Sequence, residues 1–429
     1  MNFFLLFYFV IFAFDINISI QSSYIVLPFK YSTKEKKSYP ENLLQNDLEI
    51  TLNIGTPPQS VDLNLRSKAY AFFVTSVEAN MTFKTFNDSN SKSLIKETKK
   101  PEPFGGQEYA KGYMIYESIY INGNEIKDVS LILATEVNYK EAGALGLRLV
   151  EEHDSGDYLS FILQLKKKLN FDSYSYTIKY KNDNEGELII GSYPHMYDDN
   201  YSEKNFYQTK AGTVGKNVDW ILNFDMIKYN NKSIFINKRQ GFTQIEFGLI
   251  QAPFEFKKHF NDNFFKHRCY ERFNLKRNIT ILHCNQNFPI KDFKDLTFIL
   301  KDINLEFTLT YEDLFIKENN EYIFGIVFDE NKDNKYATWI LGKPFMKKYP
   351  LIYDLDKKII GTYIGNKEEE GKNPINLTLL IILIALGLIV IGLIIFIIFY
   401  LKKPRKNRAA ELNDDNYEYF PNNEIVPPS

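Results

Sequence analysis

Few side chains in this sequence stand where they can move a proton or hold a metal. The alternating run "VDLNL" ends at Arg66, with Ser67 and Lys68 directly after it. A guanidinium stays protonated and accepts no hydrogen bond, so Arg66 has no capacity as a general base. The nearest acid, Asp62, lies four residues earlier on the same nominal face of an extended strand, but roughly 13 Å away, beyond any shared proton. Its expected place is the polar face of a strand that turns Val61, Leu63 and Leu65 to the core. A second stretch, "TQIEFGLIQAP", offers Gln244, an amide that neither ionises nor shuttles protons, and Glu246, a single carboxylate two residues on. The histidines (His153, His195, His259, His267 and His283) show no metal-ligand spacing. No nucleophile elbow, phosphate loop or dinucleotide fingerprint occurs, so neither cofactor nor metal is implied. His267 and His283 flank the two cysteines, Cys269 and Cys284, but "HRC" and "HC" crowd the ligands too closely for the usual tetrahedral zinc loops.

Chemistry of any kind here needs a scaffold, and the scaffold reads as mainly β. With 429 residues, 44% of them hydrophobic, the chain has material for one large or two moderate cores. Short apolar or alternating runs rich in Val, Ile, Tyr, Phe and Thr recur between polar turns: "LEITLNI", "VSLILAT", "SYTIKY", "GELIIGS", "LTFILKDINLEFTL". "NG" at 122–123 is a hairpin signal. Helical periodicity is confined to "YLSFILQLKKKL" and "FEFKKHFNDNFFKH". A net charge of −2 spread over many acids and bases gives no dedicated nucleic-acid surface.

The two ends read differently from the middle. "MNFFLLFYFVIFAF" followed by small polar residues resembles a secretory signal peptide, residues 1–22, with a short leader at 23–47. Near the other end, the uncharged run "LLIILIALGLIVIGLIIFIIFYL" defines a transmembrane helix over 377–401, roughly 35 Å long against a hydrocarbon core of about 30 Å. A stalk at 366–376 precedes it. "KKPRKNR" follows, so the tail at 402–429 is expected in the cytoplasm and the N-terminal bulk outside it, extracellular or lumenal. Asn-X-Ser/Thr triplets at Asn80, Asn87, Asn200, Asn231 and Asn278 are candidate glycosylation sites on that side. An oxidising compartment makes Cys269–Cys284 a local disulfide, with two unpaired buried thiols as the alternative. In the tail, "YEYF" has the spacing of a tyrosine-based sorting signal for an adaptor.

Taken in order, residues 47–364 resemble the pepsin-like aspartic proteases. "ITLNIGTPPQ" is similar to the opening of that family's first lobe, and "FFV" (72–74) to the apolar triplet after its first catalytic loop. "GYMIYESIYINGNEIKDVSLILATE" resembles the strands after the flap. "GALGL" (143–147) resembles a conserved-pattern turn with Gly143 and Gly146 in place, and "GELIIGSY" and "DWILNFDMIKYN" the crossing between lobes. "WILGKPFMKKYPLIYDLDKKIIGTY" (339–363) resembles the closing segment. The resemblance implies a bilobal acid protease fold with a central cleft that binds an extended peptide, the lobes spanning 48–205 and 206–365, followed by the one transmembrane helix. It also places Cys269 and Cys284 where the family has a disulfide.

The family's hydrolysis uses two aspartates sharing one proton, each in an Asp-Thr/Ser-Gly turn. Arg66-Ser67-Lys68 occupies the first position. Gln244-Ile245-Glu246 occupies the second, or, shifted by two residues, Glu246 takes the acid position and Gly248 the glycine position. The flap position carries Phe104-Gly105, with Tyr109 as an alternative to the family's tyrosine. The dyad is thus expected to be lost, giving a pseudoprotease that binds a peptide or protein in its cleft. An active endopeptidase using Glu246 and an adhesive protein with a filled cleft are the alternatives. A buried arginine needs a partner, and Glu246 is the expected one for Arg66.

Overall fold

The computed structural model describes residues 24–364 apart from 33–40, 82–83, 98–101, 105–109, 138–141, 151–159, 236–238, 262–264, 266–268, 275–276 and 332–337. The signal, transmembrane, stalk and tail assignments, Gly105 and Tyr109 of the flap, and His153 and His267 therefore lie outside the described residues. Among the described residues no helix is long and apolar enough to cross a membrane.

Strands dominate, as the alternating runs require. A fourteen-stranded sheet carries the first half of the chain, and a nine-stranded sheet with a separate four-stranded one carries most of the second. The hairpin at 122–123 forms between Ala110–Ile121 and Asn124–Val137, with Ile121 opposite Asn124. Both turn residues take positive φ, 50° at Asn122 and 82° at Gly123, which matches the right-handed twist of the paired strands. The two helical stretches also form, as Phe161–Leu169 and Phe254–Asn261. Ser160 caps the first by accepting from the Leu163 N–H, and Gln164 clamps the helix to the sheet through both the N–H and the C=O of Ser130.

The halves share one structure. The closing hairpin, Ile352–Asp354 and Ile359–Tyr363, joins the larger sheet: Ile352–Asp354 pairs with Ser175–Tyr180 and Ile359–Tyr363 with Phe206–Lys210. Residues assigned to a leader from sequence take part in the same sheet, where Ile25–Tyr31 lies between Leu48–Ile54 and Glu185–Ile190. One hydrophobic core runs through both halves. At its centre Tyr176 stacks on Tyr353 with ring centroids 4.8 Å apart, and Trp220 meets Tyr353 edge-on at 5.0 Å. The Tyr176 hydroxyl and the Trp220 indole N–H both donate to the Leu147 carbonyl, at 2.8 and 2.9 Å. Burial pushes the Tyr176 and Tyr353 phenols far above their ordinary range, so they remain neutral.

Cys269 and Cys284 form a disulfide, directly opposite one another in the strand pair Cys269–Asn274 and Ile279–Asn285. Both sulfurs are consumed, so they provide no ligands for zinc.

Candidate functional site

The strand Gln59–Arg66 alternates as the sequence demands. Val61, Leu63 and Leu65 are buried, while Asp62 accepts a 2.6 Å hydrogen bond from Thr51, its cross-strand neighbour. One side of this strand pairs antiparallel with Leu48–Ile54 and the other parallel with Gly143–Gly146, bringing Arg66 opposite Gly146. The chain then turns and returns as Phe72–Thr75, with Phe72 opposite Leu145.

The second half repeats this pattern. Arg239–Thr243 runs parallel to Trp339–Leu341, with Thr243 opposite Leu341, and the chain returns as Ile250–Ala252 with Ile250 opposite Leu341. Leu145 and Leu341 are equivalent, each followed by a glycine. Leu65 and Thr243 are therefore equivalent, and so are Arg66 and Gln244. The return strands agree, since Phe72 and Ile250 each stand six residues after those positions. This pairing puts Gln244, rather than Glu246, at the place corresponding to Arg66. Glu246 corresponds to Lys68.

The glycine after each parallel strand has a steric reason. A Cβ on Gly146 would sit 2.4 Å from the Tyr70 carbonyl carbon, and one on Gly342 would sit 2.1 Å from the Leu249 oxygen. In both halves the loop backbone passes across the glycine, and no larger residue fits.

The side chains pair otherwise than the sequence suggests. Arg66 does not meet Glu246: its Nη1 lies 3.2 Å from Asp47 Oδ1, with only 19% and 13% of the two side chains exposed. Glu246 turns to the other loop, where its Oε2 accepts from the Ser67 N–H at 3.1 Å and from the Ser67 hydroxyl. The difference arises because residues 43–47 run beneath both loops. The Asn46 N–H donates to the Glu246 carbonyl at 2.9 Å, its side-chain amide to the Ile245 carbonyl at 2.7 Å, and the Gly248 N–H donates to the Leu44 carbonyl at 3.0 Å. This delivers Asp47 to the guanidinium before Glu246 can reach it. Asp47 was invisible as a partner because nothing in a sequence marks an acid just ahead of a strand as facing that strand's neighbour.

A cavity of about 370 Å³ opens beside the loops, lined by Ser67, Lys68, Arg148, Asp219, Thr243 and Gln244 together with Trp220, Phe242, Thr338 and Ile340. Gln244 is buried and its N–H donates to the Leu341 carbonyl at 3.1 Å. Lys68 is exposed. Of the lining residues, the sequence singles out Ser67, Lys68 and Gln244. Phe104 ends the strand Glu102–Phe104, paired with Ala110 at the start of the long hairpin.

The remaining candidates are peripheral. Asn80, Asn200, Asn231 and Asn278 are exposed, and Asn87 is half-buried, its backbone bonded to Gln59. His283 is buried against Glu321, with Nδ1 3.1 Å from Oε2, and burial lowers its pKa. His195 meets Tyr363, and His259 packs edge-on to Phe235, so the described histidines are dispersed. Among the described residues no cluster of His, Cys, Asp or Glu is suited to a metal.

Comparison with known proteins adds one result. A family model described as eukaryotic aspartyl protease matches residues 49–363. No curated protein matches the chain.

Proposed function

Because the chain belongs to the eukaryotic aspartyl protease family, its function is to be read from where it departs from that family's chemistry, and we propose that it is a catalytically silent, membrane-anchored homologue that binds an extended peptide or protein partner in its cleft. The observation that carries this reading is the register of the two parallel strand pairs. The equivalent positions at their ends hold a guanidinium, Arg66, and an amide, Gln244. Peptide hydrolysis by a carboxyl pair needs one carboxylate to take a proton from water and one carboxylic acid to donate to the substrate carbonyl. Glu246 is a single acid whose Oε2 is already committed to Ser67.

The cavity of about 370 Å³ favours a binding role over an adhesive one with a filled cleft. The apolar run at 377–401 and the basic "KKPRKNR" after it support a single-pass chain with the described region extracellular or lumenal. The disulfide fits that side of the membrane. A sorting adaptor on "YEYF" belongs to the same reading.

The test is to incubate the purified protein at acid pH with an unfolded protein substrate, with and without a transition-state peptide inhibitor, and in parallel with a peptide library. Binding without turnover is expected. Inhibitor-sensitive cleavage would establish an active endopeptidase, and an absence of any peptide binding would leave the adhesive role.

A further inference from the structure

We propose that the cleft selects peptides bearing an acidic side chain, with Lys68 as the selecting residue; this rests on the peptide-binding reading above. Three carboxylates stand at or behind the cavity, and each already accepts. Asp219 takes the Trp220 N–H at 2.8 Å through Oδ1 and faces Arg148 at 3.8 Å through Oδ2. Glu246 takes both donors of Ser67. Asp47 is held by Arg66.

The cations are not matched in the same way. Arg66 is occupied with Asp47, and Arg148 has one distant acid. Lys68 is exposed at the cavity wall, and among the described residues it has no ion-pair partner. An ammonium offers three donors and no acceptor. The lining thus sets two cations, Lys68 and Arg148, against one acid, Asp219, and the charge left without a counter-ion among the described residues is the ammonium of Lys68.

A backbone carbonyl from any peptide would answer part of that need. A carboxylate answers it better, because a bond between two ionised groups is shorter and roughly twice as strong as a neutral one. Phe242 and Ile340 share the lining, so the fitting segment places an apolar residue beside the acidic one.

The test uses decapeptides of alternating Leu and Ser in which one Glu, Gln or Lys is moved through every position. Binding to the full-length protein in detergent micelles is read by fluorescence anisotropy at neutral pH. At one position the Glu peptide should bind about tenfold tighter than its Gln counterpart, with the Lys peptide weakest. In Lys68→Met, checked for an unchanged melting temperature, the Glu-to-Gln ratio should fall below about twofold while the Gln peptide keeps its affinity. Equal binding of Glu and Gln peptides overturns the acid preference and leaves peptide binding intact. A ratio that persists in Lys68→Met removes Lys68 as its source. Failure of every peptide to bind overturns both this inference and the reading beneath it.

Discussion

Two loops in this molecule share a backbone plan and differ in everything that plan normally serves. The first runs off Gln59–Arg66, passes over Gly146 and returns as Phe72–Thr75; the second runs off Arg239–Thr243, passes over Gly342 and returns as Ile250–Ala252. The glycines beneath the loops are retained in both. The loops themselves hold Arg66 and Gln244 at equivalent positions, and carry Lys68 and Glu246 two residues on. Steric demands from the backbone and chemical demands from a reaction are thus separable. A Cβ beneath either loop meets backbone that has nowhere to go, whereas a changed side chain above it meets only a cleft and a few polar neighbours.

The sharpest way to break the comparison is at the two glycines. Gly146→Ala and Gly342→Ala should each cost more than about 3 kcal/mol, because the nearest atoms are backbone at 2.4 and 2.1 Å and cannot step aside as a side-chain tip would. Urea denaturation, or loss of soluble expression, reads the effect. Near-native stability in either variant would show that the loops do not share the constraint.

A smaller effect should separate the loops from one another. Asp47→Ala takes a carboxylate from a guanidinium that is mostly out of water and should destabilise by about 2 kcal/mol, discounted from the fully buried case for the remaining exposure of both side chains. Gln244→Ala, at the equivalent place, removes no charge and should cost about 1 kcal/mol or less. Similar losses in the two variants would mean that Arg66 does not depend on Asp47. Below these comes the bridge between loops. Ser67→Ala and Glu246→Ala should each cost about 1 kcal/mol, and the double variant little more than either alone, since both remove the hydroxyl–carboxylate bond. Additive losses would dissolve the bridge.

What was legible in the sequence divides along the same line as the loops. Periodicity and turn residues announce backbone, so the strand with Val61, Leu63 and Leu65 inward and the hairpin at Asn122-Gly123 were readable in advance, whereas the segment over 339–363 was recognisable only through the family resemblance. The order of those segments carried the family, which covers residues 49–363. That Arg66 cannot act as a base was legible because the chemistry of a residue type needs no geometry. Partners were not. Asn46 reaches the Ile245 carbonyl across 199 residues of sequence, and Asp47 reaches Arg66 from the segment that follows a short helix at Glu41–Leu44. The pairing of Arg66 with Glu246 was the economical guess for two charges at one cleft floor. It failed because a third element, running beneath both loops, supplied a nearer acid. Likewise residues 23–47 read only as a short leader, since an alternating run does not reveal whether a sheet has a vacancy for it, as this one has for Ile25–Tyr31.

The smallest effect bears on how the loops can be tested at all. An assay for residual proteolysis runs at acid pH, and acid acts on the second half of the molecule at a site remote from either loop. His283 is buried beside the disulfide, stacked on Tyr270 and bonded to Glu321, and burial lowers its pKa from the ordinary value of 6.5. The neighbouring carboxylate of Glu321 pulls the other way and Arg272 adds to the lowering, but burial leads. A depressed histidine pKa means that the unfolded chain binds the proton first. Its contribution to stability is therefore complete above pH 6.5 and declines as the pH falls from there toward the folded-state value. The melting temperature should drop by a few degrees between pH 7 and 5, and by less in His283→Phe, which keeps the ring stacked on Tyr270 without a titrating nitrogen. An equal drop in the variant would assign the acid sensitivity elsewhere, and the two loops, with Glu246 between them, would be the first place to look.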